Sequence, residues 1–291
     1  MTTTPTVASA LSGARSLGID RLDAQVLLAA VLARPRTWLL AHDDAALDAG
    51  QRARWDALIR RRARGEPLAY LVGEKEFHGI VLEVDARVLV PRPETELLVE
   101  RALEILRDGR ARRVVDLGTG SGAIALAVKA ACPAATVLAS DASEAALDVA
   151  CANGRRLSLE VGFRLGSWWD AWPGERFDLA LANPPYIPVG DPHLVALKHE
   201  PVGALVGGED GLAALASIVA GAPARLQPRG WLWLEHGHDQ ADRVRGFLGA
   251  ARFEGIETLV DLNGLPRCTG GWCRDPPNRA ALPDPVGTGM T

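Results

Sequence analysis

A glycine-rich turn between an apolar strand and an apolar helix constrains the fold of this chain more than any other feature. The run Arg113-Val114-Val115-Asp116-Leu117 predicts a short buried strand, and an apolar helix is predicted to begin at Ala123. Between them, glycines alternate with small polar residues, which lets the chain turn sharply: Gly118, Thr119, Gly120, Ser121 and Gly122. A second strand then ends at Asp141. This order predicts a strand, helix, strand unit that binds a nucleoside cofactor.

The same turn also fits a dinucleotide site. Gly118, Gly120 and Ala123, followed by Asp141, satisfy the fingerprint in which a pyrophosphate lies over a helix N-terminus. Asp141 would bind a ribose diol in either case. A carboxylate at Asp116 would repel a pyrophosphate and attract the ammonium of a methionine moiety. The sequence therefore favours S-adenosylmethionine over NAD.

A second motif, Asn183-Pro184-Pro185-Tyr186, follows the apolar run from Phe177 to Ala182. The nitrogen of a carboxamide or of an exocyclic amine is a poor nucleophile because its lone pair is delocalised. The Asn183 side-chain oxygen and the Pro184 carbonyl can both accept hydrogen bonds from such an NH2 group, and Tyr186 can stack on its plane. Pro185, like Pro184, has a fixed φ and no amide proton, so the turn is preorganised. Such motifs are also ordinary turns, and the cofactor loop upstream favours the functional interpretation.

The periodicity of the chain predicts four regions. Residues 1–69 have helical periodicity, with Leu22, Val26, Leu27 and Ala30 on one face, and predict a small N-terminal helical domain for substrate docking. Residues 70–93 alternate with period two and predict a hairpin linker. Residues 94–272 alternate strands and helices and predict an α/β domain, a mostly parallel Rossmann-like sheet with helices on both faces. Residues 273–291 are rich in proline, and we expect a disordered tail.

Composition excludes several classes of function. The net charge of −4 argues against a broad basic surface, so we expect no stable nucleic-acid binding. No apolar run is long enough for a membrane span and no signal peptide is visible, so we expect a cytoplasmic protein, and a monomer. Four scattered cysteines predict no disulfide framework. The segment Glu235-His236-Gly237-His238-Asp239 offers metal ligands, but it lacks a third histidine or a thiol, and we expect no metal.

One helix of the predicted N-terminal domain is strongly basic. It carries a run of arginines that we call the arginine cluster: Arg52, Arg54, Arg60, Arg61, Arg62 and Arg64. A charge run is usually a solvated helix face. The alternative interpretation is a docking surface for an acidic patch on a partner protein.

Several motifs together resemble the bacterial N5-glutamine methyltransferases that modify peptide chain release factors. Besides the glycine loop and the Asn-Pro-Pro-Tyr turn, the matching segments are Gly65 to Tyr70, Phe77 to Gly79, Pro91 to Glu96, Ser140 to Ser143, Glu200-Pro201 and Gly207 to Leu212. Asn-Pro-Pro-Tyr is shared with adenine-directed methyltransferases, whereas the segments Pro91 to Glu96 and Glu200 to Leu212 are narrower signals. The chain departs from the family pattern at Asn263, which concerns local loop packing.

The resemblance implies an S-adenosylmethionine-dependent enzyme that methylates the glutamine of the Gly-Gly-Gln loop in class 1 release factors. It implies that Gly118 to Gly122, Asp141, Asn183 and a tryptophan hold the cofactor, with Trp168 favoured over Trp169, and that Asn183 to Tyr186 hold the glutamine. Three alternatives stay open at this point: an adenine N6-methyltransferase acting on DNA or RNA, an NAD-linked oxidoreductase, and a binding protein without catalytic activity.

Overall fold

The computed structural model describes residues 5–108 and 112–274, and the predicted tail lies outside them from residue 275 onward. In chain order, helices α1 to α10 are Val7–Ser16, Arg21–Leu32, Arg36–Ala41, Ala49–Ala63, Leu68–Val72, Glu96–Ile105, Ala123–Ala131, Glu144–Leu157, Ala213–Arg225 and Ala241–Ala250. Strands β1 to β9 are Glu74–Phe77, Ile80–Glu83, Arg113–Leu117, Thr136–Asp141, Gly162–Leu165, Phe177–Ala182, Leu226–Glu235, Phe253–Val260 and Pro266–Cys273.

Helices α1 to α5 form a small N-terminal domain with its own apolar core. Helix α5 crosses the predicted boundary after residue 69, so the helical region extends to Val72. Leu27 is fully buried, but Leu22 is 49% exposed, and its predicted place on the core face was wrong. At 3.6 residues per turn, five positions separate two side chains by roughly 140° around the helix. The buried face of α2 instead contains Ala24, Leu28 and Val31.

The predicted hairpin is β1 paired with β2, and it packs on the α/β domain. Phe77 and Leu82 are buried in the core of that domain. The Asn153 side chain on α8 binds both backbone groups of Glu83, accepting from its N–H at 2.7 Å and donating to its carbonyl at 3.0 Å. These contacts attach the linker to helix α8 of the α/β domain.

The central sheet has seven strands in the order β5-β4-β3-β6-β7-β9-β8. Strands β3 to β7 pair in parallel, and β9 is antiparallel to both of its neighbours. The chain moves outward from β3 to β5 and then returns to β6 on the other side of β3. This reversal of strand order lies between β3 and β6, where the carboxyl ends of the strands create a crevice.

Helices cover both faces of the sheet, as predicted. One apolar core includes residues of α6, α7 and α8, and the other includes residues of α9 and α10 together with Trp169 and Trp172. Within residues 5–108 and 112–274, the helices are all too short or too polar to cross a bilayer. Asn263 lies in the exposed turn between β8 and β9, where its N–H binds the Asp261 carboxylate at 2.8 Å.

Candidate functional site

Two adjoining cavities open at the carboxyl ends of β3 and β6. We call the larger one, of about 550 Å³, the donor cavity, and the smaller one, of about 200 Å³, the acceptor cavity. Asn183 lines both, as do Leu89, Arg92 and Ala204. A group bound in one cavity would therefore meet a group bound in the other at Asn183.

The glycine loop forms one wall of the donor cavity through Gly118, Thr119, Gly120 and Ser121. Gly118 has a φ of +78°, and a Cβ there would lie 2.9 Å from the Trp168 ring. This position therefore requires glycine for both its backbone conformation and its space. Gly122 does not line the cavity and instead caps the N-terminus of α7.

Asp141 stands at the end of β4 and lines the donor cavity. Its Oδ2 accepts from the Gly120 N–H at 2.9 Å and its Oδ1 accepts from the Ser143 N–H at 2.9 Å. The carboxylate thus links the two loops that follow β3 and β4. Each oxygen keeps a further lone pair, so the group can still accept hydrogen bonds from a ribose diol.

Asp116 lies beneath the glycine loop and does not contact the donor cavity directly. It is fully buried, and its Oδ2 accepts from the Thr119 hydroxyl at 2.6 Å. Burial raises the pKa of this carboxyl to about 7, with the charge of Asp141 adding to the effect. Asp116 does not line the donor cavity, so the predicted direct contact with a methionine ammonium is not part of this geometry, and its carboxyl supports the loop through Thr119.

The two consecutive tryptophans point to different places. Trp168 has a φ of +44° and lines the donor cavity against Gly118. Trp169 is buried on the other side, where its Nε1–H donates to the Ile218 carbonyl at 2.8 Å. The geometry thus separates the two candidates, because Trp168 lines the donor cavity and Trp169 does not.

The Asn-Pro-Pro-Tyr turn lies between the two cavities. The Asn183 Nδ2 donates to the Thr95 hydroxyl at 3.1 Å, which directs the amide oxygen away from Thr95. The Tyr186 hydroxyl donates to Glu235 Oε1 at 3.3 Å, and burial raises the pKa of Tyr186, so this hydroxyl stays protonated. Pro184 is buried and lines neither cavity, while Pro185 lines the donor cavity.

Sequence reasoning did not single out Thr95 or Glu235 as individual site residues. Thr95 lies in the Pro91 to Glu96 segment, which was matched only as a motif. Glu235 ends β7, the strand beside β6, and it was considered only as a metal ligand. The signal that the sequence offered for Glu235 was a carboxylate at the carboxyl end of the strand beside β6.

The segment from Glu235 to Asp239, considered above for its possible metal ligands, forms structural contacts within the protein. His236 is buried, with one ring nitrogen 2.7 Å from the Thr269 hydroxyl and the other 2.8 Å from the Gly237 carbonyl. Burial lowers the pKa of His236, which keeps the ring neutral. Across the described part of the chain, His, Cys, Asp and Glu side chains form no group of three or more that could hold a metal ion.

Three members of the arginine cluster form ion pairs within the N-terminal domain. Arg61 binds Glu66, Arg62 binds Asp23 at 2.7 Å, and Arg52 lies 3.9 Å from Asp56. Arg54 and Arg60 are exposed on α4. The cluster is therefore partly structural, and only its exposed members could contact a partner.

Two distant glycines support the Asn-Pro-Pro-Tyr turn from behind. A Cβ at Gly207 would lie 2.3 Å from the Pro185 carbonyl oxygen, and one at Gly211 would lie 2.2 Å from the Tyr186 carbonyl oxygen. The Gln240 Nε2 donates to the same Tyr186 carbonyl at 3.0 Å. The segment from Gly207 to Leu212 therefore sets the position of the turn by close backbone packing.

We expect Gly207→Ala to lower the free energy of unfolding by about 1–3 kcal/mol, because the added methyl group collides with backbone that cannot rotate away. Activity at the two cavities should fall as well, since Pro185 and with it Asn183 must shift. Denaturant unfolding and initial rates measure the two effects. Gly246→Ala on α10 is the matched control, because a Cβ there meets nothing within 4 Å. An unchanged stability of Gly207→Ala would contradict the packing argument.

Comparison with known proteins agrees with this geometry. The family model described as PrmC N-terminal domain matches residues 6–73, and the one described as Methyltransferase small domain matches residues 93–197. A release factor glutamine methyltransferase of Bordetella pertussis is 49% identical over 88% of this chain and 96% of its own length. The chain belongs to the release factor glutamine methyltransferase family. Relatives in this family from Xylella fastidiosa and Burkholderia pseudomallei are 49% and 48% identical, covering 91% and 93% of this chain and 97% and 98% of their own.

Solved structures of other methyltransferases share the fold of this family member. A T. Thermophilus 16S rRNA methyltransferase in complex with AdoMet and guanosine has a TM-score of 0.53 and 22% identity, over 69% of this chain and 50% of that one. The N-terminal domain of human METTL16 in complex with SAH has a TM-score of 0.51 and 14% identity, over 78% and 84%. At these identities the likeness establishes an α/β methyltransferase fold. The family is one of S-adenosylmethionine-dependent enzymes, so S-adenosylmethionine is the cofactor.

Proposed function

We propose that this enzyme transfers a methyl group from S-adenosylmethionine to the side-chain amide nitrogen of the glutamine in the Gly-Gly-Gln loop of class 1 release factors. The observation that carries the proposal is the position of Asn183, which lines both cavities and whose amide is oriented by Thr95. Family membership supports the same substrate. With a release factor as substrate, the reaction would take place in the cytoplasm.

The donor cavity fits the cofactor. Asp141 would accept hydrogen bonds from the ribose hydroxyls of the cofactor, and Trp168 would contact its adenine end. The backbone of the loop from Gly118 to Ser121 would contact the rest of the cofactor. Asp116 and Gly122 would act indirectly, by supporting this loop and by starting α7. When bound, the cofactor supplies a methyl group on a positively charged sulfur.

The acceptor cavity would hold the planar amide of the glutamine. Asn183 Oδ1 and the Pro184 carbonyl would accept hydrogen bonds from the two N–H groups of this amide. These bonds would fix the plane of the amide and increase the electron density on its nitrogen. Tyr186 would pack against the amide. The transfer would be direct, with no covalent enzyme intermediate, and the methylated nitrogen would then lose a proton readily. Rate enhancement would come from positioning and electrostatics.

The rival functions have less support. An adenine N6-methyltransferase would share the Asn-Pro-Pro-Tyr turn, but the net charge of −4 does not favour nucleic-acid binding. An NAD-linked oxidoreductase leaves that turn without a role. The proposal includes a monomeric enzyme, which light scattering would check.

A methyl-transfer assay with labelled S-adenosylmethionine tests the proposal. Purified release factors, their Gly-Gly-Gln to Gly-Gly-Ala variants, and mixed DNA and RNA are offered in parallel. We expect label on the intact release factor alone. Label on nucleic acid would move the assignment to the adenine reaction, and label on the Gly-Gly-Ala variant would exclude that glutamine as the acceptor.

A further inference from the structure

A buried carboxyl group stands behind the acceptor cavity and has no place in the mechanism described so far. Glu235 is 1% exposed and lines this cavity together with Asn183 and Tyr186. Its Oε1 accepts from the Tyr186 hydroxyl at 3.3 Å, while its Oε2 is buried with no hydrogen bond of normal geometry from the described residues. A buried oxygen without a donor is costly unless a nearby group can supply a proton.

The Thr95 hydroxyl is a donor close to the Glu235 carboxyl. Thr95 is 4% exposed, and its Oγ1 accepts from Asn183 Nδ2 at 3.1 Å. A hydroxyl that accepts one hydrogen bond still has its own proton to donate. Thr95 lies close enough to the Glu235 carboxyl to lower its pKa by hydrogen bonding. Asn183, Thr95, Glu235 and Tyr186 therefore form one polar chain.

The charge of Glu235 decides which groups in this polar chain donate hydrogen bonds and which accept them. An ionised carboxylate has no proton, so Thr95 and Tyr186 must both donate to it. Thr95 can then bind Asn183 only by accepting a hydrogen bond from it. This bond uses the Asn183 Nδ2 and leaves Oδ1 free to face the cavity. A protonated Glu235 could donate to Thr95 instead. Thr95 could then donate to Asn183 Oδ1, and the reversed amide would present its NH2 to the NH2 of the substrate.

We propose that Glu235 is a positioning residue, whose ionised carboxylate fixes the orientation of the Asn183 amide through the Thr95 hydroxyl. This inference rests on the proposed function, in which Asn183 Oδ1 accepts from the target amide. Glu235 itself does not touch the reacting atoms.

The surroundings of Glu235 set the pH range in which this device would act. Burial, with the charge of Glu94 adding to it, raises the pKa of Glu235 to about 7, and Thr95, Tyr186 and Arg267 oppose the shift. Arg92 lines the same cavity, and the nearby Cys268 thiol stays neutral because burial raises its pKa. As the pH falls through this value, Glu235 gains a proton, and the hydrogen bonds of the polar chain no longer hold the Asn183 amide in one orientation. We therefore expect kcat to fall about tenfold between pH 8 and pH 6.

Asp116 also has a pKa near 7, but it lies beneath the donor cavity. Its titration would change the KM for the cofactor, so kcat at saturating S-adenosylmethionine isolates Glu235. The test variant is Glu235→Gln, which keeps size and adds an NH2 donor. We expect kcat to fall roughly tenfold to hundredfold, as for other residues that orient a contacting group, with cofactor affinity unchanged. The decline of kcat on the acid side of the pH profile, which we call the acid limb, should disappear. Glu160→Gln, an exposed site, is the matched control.

Thr95 provides a second test in case Glu235→Gln does not fold. Thr95→Val removes the hydroxyl at similar size and should lose both turnover and the acid limb, whereas Thr95→Ser should restore most of both. Wild-type turnover with an unchanged acid limb in Glu235→Gln, or an unchanged limb in Thr95→Val, would overturn the positioning role while the proposed function stands. A wild-type protein that transfers no label to release factor would overturn both.

Discussion

Replacing Asn183 by alanine is expected to reduce turnover by a factor on the order of 10² or more, the effect of removing one preorganised polar group from an active site. Asn183 stands at the junction of the two cavities, so its loss removes an acceptor from the target amide at the point of transfer. Initial rates at saturating S-adenosylmethionine and release factor measure the loss, and calorimetric titration shows whether the cofactor still binds.

Asn183→Asp sharpens this prediction. The carboxylate keeps the size and the acceptor oxygens, but it cannot donate to Thr95 as Nδ2 does. It also places a negative charge near the carboxyl of Glu235. We expect this variant to be nearly as impaired as Asn183→Ala. Turnover close to the wild-type rate in either variant would remove Asn183 from the mechanism.

Replacing Asp141 by alanine is expected to weaken binding of S-adenosylmethionine by about 10- to 150-fold, corresponding to about 1.5–3 kcal/mol for hydrogen bonds to a charged group. Two effects combine, because the variant loses the acceptor for the ribose diol and releases the N–H groups of Gly120 and Ser143. Calorimetric titration measures the dissociation constant directly.

Asp148→Ala on α8 is the matched control, since Asp148 is an exposed carboxylate on the helix that follows Asp141. It should leave the dissociation constant unchanged. A normal constant in Asp141→Ala would mean that the cofactor does not use this carboxylate. A loss of turnover without a loss of affinity would place Asp141 in the transfer step.

The order of strands and helices in the catalytic domain was predictable, because each apolar run of β3, β4 and β6 is short and bounded by turns. Strand β9 was missed. It begins with a proline and contains Gly270-Gly271, residues that are unfavourable in strands. The structure explains both glycines, because a Cβ at Gly270 would lie 2.3 Å from the Trp233 ring and one at Gly271 would lie 2.8 Å from the Glu254 carbonyl oxygen. These requirements come from partner strands and leave no local pattern.

The candidate site was predictable where one short segment contains the chemistry, as in the glycine loop and the turn at Asn183. The polar chain through Thr95 and Glu235 was not, because its members come from different elements and meet only across the sheet. Asp116 was singled out as a ligand contact because of its charge, whereas the structure shows a buried carboxyl that reaches the loop through Thr119.

The hydrogen bonds around the acceptor cavity join residues that are far apart in the chain. Asn183 and Thr95 are separated by 88 positions, Tyr186 and Glu235 by 49, and Val90 and Glu200 by 110. Gly120 and Asp141 in the donor cavity are separated by only 21. Long loops cost more entropy to close, so contacts of this kind form late in folding. A refolding chain should therefore regain cofactor binding before it regains methyl transfer, and recovery of activity marks the completion of the native topology.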